Sequence, residues 1–233
     1  MRSTAVVFLV SGGLDSAVAA AIVRADGREV YALTVDYGQR HAVELERARA
    51  VAEYYHAPHR VVRVDLRAFG GSALTDVTPV PKDRAIGSAG IPATYVPARN
   101  TILLSLALAW AETLGAGAIG IGVNAVDYSG YPDCRPEYLA AFQDLTRLAT
   151  RAGVESGRGV EVVAPLSGLA KAEIISRGAA LGVPFELTHS CYDPIGYLAC
   201  GRCDSCRIRR GGFAAAGIHD PTRYAPSKAG VGS

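Results

Sequence analysis

The stretch "VVFLVSGGLDSAVAA", residues 6–20, decides the fold. Its apolar first half predicts a buried strand, and its alanine- and valine-rich second half predicts a helix. Between them, Gly12 and Gly13 allow a tight turn and let a ligand approach the backbone closely. The first N–H groups of the helix lack intrahelical partners and carry the positive end of the helix dipole, so this turn suits an anion. The plainer alternative is a strand-to-helix turn in which Asp15 and Ser16 only cap the helix.

The composition bounds the architecture and the compartment. The chain has 233 residues, 49% of them hydrophobic, and a net charge of +2. This length suits one α/β domain with an appendage, and the balanced charge gives no reason to expect nucleic acid as the main partner. We find neither a signal-peptide pattern nor an apolar run of about 18 residues, so we expect a cytoplasmic protein without a membrane span.

The order of apolar and amphipathic segments predicts an α/β fold with a five-stranded parallel sheet and helices on both faces. The predicted strands are 4–10, 29–35, 60–66, 118–123 and 160–166. The predicted helices lie near 15–25, 42–55, 100–114, 136–152 and 170–181, with Asn100 as an N-cap. In such a sheet a ligand binds beyond the carboxyl ends of the strands, at the switch point of the topology.

The loop at residues 11–16, Ser-Gly-Gly-Leu-Asp-Ser, lacks the Gly-Lys-Ser/Thr of the usual phosphate loop. It resembles instead the SGGxDS signature of the PP-loop ATP pyrophosphatases, which have a Rossmann-like fold. The resemblance implies that ATP is cleaved between its α- and β-phosphates, with the leaving pyrophosphate held at the loop and a substrate oxygen adenylated. We expect the aspartate of the loop to meet the phosphates through Mg²⁺.

Three further stretches and a cysteine cluster narrow the resemblance. All three stretches would lie at the carboxyl edge of the sheet, and they are "VDYGQRHAVELERA" (35–48), "YVPARNTILLSLA" (95–107) and "GVNAVDYSGYPDCRPEYL" (122–139). Together with the cysteines they closely resemble the 7-cyano-7-deazaguanine synthases, from Val6 to about Phe213. That family makes the nitrile base of the queuosine pathway from 7-carboxy-7-deazaguanine, ammonia and two ATP, through an amide. The resemblance also suggests a homodimer.

Asp15, Arg99 and Lys171 are the expected catalytic residues, and Lys171 matches a basic position of that family. Lys171 would neutralise phosphate charge, and Arg99 would clamp a phosphate or the substrate carboxylate with two hydrogen bonds. The alternatives are a solvated helix lysine for Lys171 and a surface ion pair for Arg99. The expected ATP-binding residues are Leu9, Val10, Ser11, Gly12, Gly13, Leu14, Asp15, Ser16, Ala17, Asp36 and Gln39.

The stretch after the fourth strand is the expected substrate site. A guanine-like base presents an N1–H and an amino group side by side, and a carboxylate can accept both, so Asp127, Asp133 and Glu137 are all candidates. The alternative is a polar loop that only caps a helix through Pro136. Cys134 lies in the same stretch, but the implied reaction needs no thiol nucleophile. The full expected substrate set is Asn124, Asp127, Tyr131, Asp133, Arg135 and Glu137.

The cysteine cluster lies in "SCYDPIGYLACGRCDSCRIRRGGF", residues 190–213. Its four thiols, Cys191, Cys200, Cys203 and Cys206, have the spacing of a closed tetrahedral site, and they predict one structural zinc per chain in a reducing compartment. The alternatives are an iron–sulfur cluster, or His189 in place of one thiol. The arginines around the cluster offset its negative charge or, alternatively, bind tRNA.

These patterns divide the chain into an ATP-binding domain (1–187), a zinc-binding region with a helix (188–216) and a loose tail (217–233). Residues 67–98 are rich in Gly, Pro, Ser and Thr, and we expect a mobile lid or binding loop there. One rival function is a tRNA-modifying PP-loop enzyme that transfers sulfur or forms lysidine. Such an enzyme would need a catalytic cysteine pair away from the zinc or an added tRNA domain. The other rival is a non-catalytic module that binds nucleotide or nucleic acid.

Overall fold

The fold is taken from a computed structural model that describes residues 3–39, 43–86, 90–124 and 130–226. Asp127, one of the expected substrate residues, lies outside the described residues. Within the described part of the chain, none of the helices has both the length and the apolar character that a membrane crossing requires.

A five-stranded parallel sheet forms the centre of the molecule and confirms the predicted fold class. The strand order is β3-β2-β1-β4-β5, so the direction of winding changes beside β1. The open carboxyl ends of β1 and β4 therefore form the switch point where ligands of such sheets bind. The strands are β1 (Ala5–Leu9), β2 (Glu29–Asp36), β3 (His59–Arg63), β4 (Ala118–Gly120) and β5 (Glu161–Val163).

β3, β4 and β5 each end three residues earlier than the sequence predicts. Ile121 N still donates to Val163 O at 3.0 Å, but β4 and β5 have no regular pairing beyond that point. Residues 121–124 leave the sheet and turn toward the loop at the end of β1, so their apolar character reflects burial at the site rather than strand pairing. β3 likewise ends at Arg63 instead of residue 66.

The described residues form seven α-helices. Two predictions about these helices were wrong. The predicted helix 136–152 is divided, because Thr150 is extended and its hydroxyl caps a new helix by accepting from Gly153 N at 3.1 Å. Asn100 is not a cap, since Ala98 in the left-handed conformation precedes the helix and Asn100 lies inside its first turn. The helices are α1 (Leu14–Ala25), α2 (Val43–Tyr54), α3 (Arg99–Leu114), α4 (Pro136–Ala149), α5 (Arg151–Ser156), α6 (Lys171–Ala180) and α7 (Asp204–Ala216).

The two faces of the sheet have separate cores. Alternate side chains of β1 point to opposite faces, so Val7 and Leu9 pack with α3 and α4, while Val6 and Phe8 pack with α1, α2, α6 and α7. The central strands β1 and β4 are wholly apolar, as expected for parallel strands covered on both sides, whereas the edge strand β3 has the sequence HRVVR and is largely exposed. Gly120 is required for this packing, because a Cβ there would overlap the Phe8 ring.

The C-terminal helix α7 packs against the helices that cover the sheet. The Phe213 ring on α7 meets the Phe185 ring edge-on at 5.1 Å, and α7 lies along α6. Residues 217–226 of the expected tail are described, and they pack against the region that contains the four clustered cysteines (188–216, here called the cysteine region). Ala199 N donates to Arg223 O at 2.9 Å, and Ala225 N donates to Ala199 O at 2.8 Å. This part of the tail is therefore held by backbone hydrogen bonds.

The long segment 67–98 has little regular structure in its described parts, yet it contacts both the core and the cysteine region. Its apolar side chains Leu74, Val80 and Val96 are buried in the core on the α3 side of the sheet. In the same segment, the backbone of Lys82 forms an isolated antiparallel β-bridge with Cys203, and its ammonium lies 2.8 Å from the Asp193 carboxylate. The mobility of the segment 67–98 remains a prediction.

Candidate active site

The loop at residues 11–16, here called the SGGLDS loop, is shaped by its own serines. Ser16 Oγ donates to Gly13 O at 3.0 Å and accepts from Ser11 N at 3.2 Å. Gly13 N in turn donates to Ser11 Oγ at 3.3 Å. The turn therefore aims the first N–H groups of α1 at the switch point, where an anion would complete their hydrogen bonding.

The first glycine of the loop is held by close packing against α2. Gly12 has φ +80°, and a Cβ there would overlap Glu44 O and lie 2.6 Å from Ala48 N. At Gly13 the nearest atom to an added Cβ is Ser11 Oγ at 3.4 Å, which is ordinary contact. The absence of a side chain at Gly12 thus lets the loop backbone approach the backbone of α2, whereas Gly13 has room for a Cβ.

We expect Gly12→Ala to lower the free energy of unfolding by about 2 kcal/mol or more, because it combines a left-handed backbone with a clash against helix backbone. Gly13→Ala is the matched control and should change stability much less. Denaturant unfolding of both variants measures the difference. Equal stability of the two variants would contradict this account of the loop.

Asp15 is the centre of a polar group next to the loop. Lys171 Nζ, on the first residue of α6, donates to both carboxylate oxygens of Asp15 at 2.7 Å. Asn124 Nδ2, in the loop after β4, donates to Asp15 Oδ2 at 3.2 Å. The Lys171 side chain is only 13% exposed, so this is a largely buried pair and not the solvated lysine of the alternative interpretation. Three distant parts of the chain meet here beside the anion-binding turn.

A cavity of about 220 Å³ opens beside this group, between the loops after β1, β2 and β4. It contains most of the residues that the sequence predicts for ATP binding, and also Arg99 and Tyr131. The expected site residues that line it are Leu9, Val10, Ser11, Gly13, Leu14, Asp15, Ser16, Gln39, Arg99 and Tyr131.

Three expected ATP-binding residues do not line the cavity. Ala17 is completely buried in the core behind the loop, and Gly12 faces α2. Asp36 lies at the end of β2, where its carboxylate accepts from Gly38 N at 3.2 Å and lies 3.3 Å from Arg63 Nε. Its described contacts are therefore with neighbouring protein groups.

The expected substrate residues are divided between two places. Tyr131 lines the cavity and Asn124 is buried behind it against Asp15, but Asp133, Arg135 and Glu137 line a separate open groove beside Tyr95 and Tyr138. The short helix Pro132–Cys134 turns the chain outward after Tyr131 and so separates the two groups. Asp133 is buried, and its carboxylate accepts from Asn100 N at 2.9 Å, which fixes the start of α3.

The far wall of the cavity is aromatic and contains one arginine. The Arg99 guanidinium lies 5.8 Å from the centre of the Tyr37 ring. The hydroxyl of Tyr131 lies 3.5 Å from that of Tyr192 and 3.0 Å from Thr94 Oγ1. Flat apolar rings with a fixed cation suit a planar, anionic ligand. Arg99 lines the cavity, and none of the ion pairs between described residues includes it.

Several residues of the cavity were missed in the sequence. Tyr192, His189 and Ser190 come from the start of the cysteine region, and Ser190 Oγ accepts from Leu14 N at 3.4 Å. Glu44, in the first turn of α2, also lines the cavity, and burial raises its pKa to about 7 although Arg99 opposes the shift. Burial likewise raises the pKa of Tyr37. In the sequence, Glu44 is distinguished only by its place in the stretch 35–48, which was expected at the carboxyl edge of the sheet.

The four clustered cysteines converge as their spacing predicts. Their sulfurs all lie within 4.8 Å of one another, and all four residues are buried. Four sulfurs about 2.3 Å from one ion would be roughly 3.8 Å apart, so the group fits a tetrahedral metal. Backbone N–H groups point at the sulfurs: Cys200 N lies 3.2 Å from Cys191 Sγ, and Cys203 N lies 3.3 Å from Cys200 Sγ. Hydrogen bonds from Cys191 and Cys206 lower the pKa of the Cys203 thiol.

Arg209 joins α7 to the segment that leads into the cysteine cluster. Its guanidinium is 3% exposed, lies 3.1 Å from Asp220 Oδ1 and donates to Thr188 Oγ1 at 2.8 Å. Burial opposes ionisation of Asp220, but hydrogen bonds from Tyr224 and the charge of Arg209 outweigh it and lower its pKa. The pair therefore stabilises the fold above the unfolded pKa of Asp220, and this contribution is lost as the pH falls through the lowered folded value.

We expect Arg209→Met to cost about 3–5 kcal/mol of unfolding free energy at neutral pH, because it leaves Asp220 buried without its cation. The cost should shrink in acid, where Asp220 is protonated. Arg210→Met, on the exposed side of α7, is the control. Urea unfolding at several pH values tests this, and a cost that did not depend on pH would contradict the assignment.

Comparison with known proteins identifies a family whose model covers the whole site. A family model described as "Queuosine biosynthesis protein QueC" matches residues 5–217. The chain belongs to the QueC family. This match spans the SGGLDS loop, the cavity and the four cysteines, so all parts of the site described above lie within the family's region.

Relatives of this QueC-family chain match over nearly its full length. A 7-cyano-7-deazaguanine synthase of Azoarcus sp. is 63% identical over 222 residues, covering 94% of this chain and 96% of that protein. A protein of the same name from Anaeromyxobacter dehalogenans is 60% identical, with 94% and 95% covered. Among solved structures, NMN synthetase from Francisella tularensis has a TM-score of 0.51 at 18% identity, covering 93% of this chain and 79% of that one. That likeness concerns the fold.

Proposed function

We propose that this chain is a carbon–nitrogen ligase that converts 7-carboxy-7-deazaguanine, ammonia and ATP to 7-cyano-7-deazaguanine in queuosine biosynthesis. The observation that supports this most is one cavity with an anion-binding turn on one side and Arg99 with tyrosine rings on the other. Relatives about 60% identical over most of the chain have the corresponding name.

The phosphates of ATP are assigned to the SGGLDS loop. The N–H groups at the start of α1 and the hydroxyls of Ser11 and Ser16 would donate to the phosphate oxygens, and Lys171 would add a positive charge. Asp15 and Asn124 offer oxygen donors beside the loop, which suits Mg²⁺, since this ion is usually bound by one or two carboxylates and by substrate phosphates. Mg²⁺ would stabilise the charge that grows on the leaving pyrophosphate.

The deazapurine is assigned to the aromatic half of the cavity. Arg99 would hold the 7-carboxylate with two parallel hydrogen bonds, and the rings of Tyr37, Tyr131 and Tyr192 would contact the flat base. We retain Asp127 as the carboxylate that accepts from the guanine-like edge. Asp133 and Glu137 are less suited, because Asp133 already binds Asn100 N and Glu137 faces the outer groove.

The reaction needs two activations. The substrate carboxylate attacks the α-phosphorus, pyrophosphate leaves, and ammonia then displaces AMP from the acyl carbon to give the amide and one proton. The amide oxygen attacks the α-phosphorus of a second ATP, and loss of AMP and of both N–H protons leaves the nitrile. The site supports each displacement by holding the reacting groups together and by placing positive groups where negative charge develops.

The remaining assignments concern the metal, the assembly and the compartment. Four buried thiols and no open ligand position suit a structural zinc, and the reaction uses no electron that an iron–sulfur cluster would supply. Free thiols of this kind agree with a cytoplasmic location. We also propose a homodimer and expect no nucleic-acid or membrane partner.

The test is a mass-spectrometric assay of products from 7-carboxy-7-deazaguanine with ATP and ammonium. We expect the amide, then the nitrile, with two AMP and two pyrophosphate formed per nitrile. Omission of the deazapurine should abolish AMP release. Release of AMP that required tRNA and ignored the deazapurine would move the chain to the tRNA-modifying enzymes, and binding of ATP without any AMP would favour a non-catalytic module.

A further inference from the structure

Glu44 lies at the boundary between the two halves of the cavity. Its backbone oxygen packs on Gly12 of the SGGLDS loop, so the residue is fixed next to the anion-binding turn. Its carboxylate is electrostatically coupled to Arg99 and Tyr37, which belong to the aromatic half. In the proposed reaction this boundary is where the α-phosphate and the substrate carboxylate meet.

The other acids near the cavity are already engaged. Lys171 donates to both oxygens of Asp15, and Asp133 accepts from Asn100 N in the neighbouring groove. Among the residues that the structure describes, no basic side chain comes within ion-pair distance of the Glu44 carboxylate. Glu44 is therefore the carboxylate of the described cavity that is placed to accept a proton.

From this placement we infer that Glu44 is the general base that removes the nitrogen-bound protons during amide formation and dehydration to the nitrile. The inference rests on the proposed function. In the first half-reaction Glu44 takes the proton that the attacking ammonia loses as AMP leaves. In the second, adenylation of the amide oxygen gives a cationic imidate, and Glu44 takes one N–H proton from it. Loss of the second N–H proton, with departure of AMP, forms the carbon–nitrogen triple bond.

The protonation state of Glu44 suits this task near neutral pH. Burial raises its pKa to about 7, which is the range in which a general base is most effective. Arg99 from α3 and Tyr37 after β2 face the carboxylate, and Arg47 lies on its own helix. The other titratable groups of the described cavity are Asp15, Cys134, Tyr131, His189 and Tyr192.

The experiment compares Glu44→Gln with Glu46→Gln, an exposed glutamate on the same helix. The amide form of the deazapurine and ATP are the substrates, and nitrile formation is followed from pH 5.5 to 9. We expect Glu44→Gln to lower kcat by about 10²–10⁴-fold with little change in either KM, since only proton removal is lost. The wild-type rate should rise with pH through an inflection near 7, and Glu44→Gln should lack it. Glu46→Gln should behave as wild type.

A second variant separates this role from a structural one. Glu44→Asp keeps the carboxylate on a shorter chain, so it should recover part of the rate together with the inflection. An unchanged kcat in Glu44→Gln would overturn the inference. So would a raised KM for the deazapurine or for ATP at normal kcat, which would make Glu44 a binding residue. A wild-type protein that formed no nitrile would overturn the proposed function itself.

Discussion

Replacement of Asp15 by Asn is expected to lower AMP formation by about 10²–10³-fold, the usual loss when one charge-stabilising group is removed from an active site. Asparagine keeps the shape and one acceptor oxygen, so the hydrogen bond from Lys171 Nζ can persist. It removes the negative charge that would bind Mg²⁺ and leaves the largely buried Lys171 without its counter-ion. The side chain of Asp15 is 30% exposed and lies on the first turn of α1, so the core is untouched.

A coupled assay of pyrophosphate release measures the effect, and a thermal melt measures folding. Asp26→Asn, at the exposed far end of α1, is the control and should retain full activity. AMP formation at a near wild-type rate in Asp15→Asn would show that the carboxylate plays no part in phosphate chemistry.

Replacement of Cys203 by Ser is expected to remove the metal and to lower the unfolding free energy by about 3 kcal/mol or more, because metal binding and folding are coupled in such sites. Cys203 is completely buried, and the backbone at this residue pairs with Lys82 of the long segment. Loss of the metal should therefore loosen residues near 82 as well, which limited proteolysis would detect.

Cys134→Ser is the matched control, since Cys134 is also a buried thiol but lies outside the cluster. It should retain one zinc per chain. Elemental analysis of the wild type, of Cys203→Ser and of Cys134→Ser gives the result. Iron in the wild type, or full zinc in Cys203→Ser, would refute the assignment of a four-cysteine zinc site.

The sequence predicts the features whose physical cause is local. The turn at Gly12 and Gly13 and the alternation of apolar strands with helices depend on near neighbours, and the parallel sheet follows from them. The cysteines could be grouped because their spacing alone restricts the geometry. Strand ends were overestimated, since apolar residues such as Ile121 are buried at the cavity and not in the sheet.

Contacts between residues that are distant in the chain could not be predicted from the sequence. Nothing local distinguishes Glu44 from an ordinary acidic residue that complements the dipole at a helix start. Asp133 and Glu137 were grouped with Asn124 because they are close in sequence, but the turn at Pro132–Cys134 places them at a separate groove. The contact of Lys171 with Asp15 joins residues 156 positions apart, and no pattern in one sequence specifies such a pair.

That separation has a consequence for synthesis of the chain. The SGGLDS loop is translated early relative to its partners: Lys171 follows Asp15 by 156 residues and Ser190 follows Leu14 by 176 residues. During elongation the amino-terminal strands can pair while the loop still lacks these contacts. The contacts of the SGGLDS loop are therefore completed only after Ser190 has been translated, so a shorter nascent chain exposes an anion-binding turn that lacks its lysine and serine partners.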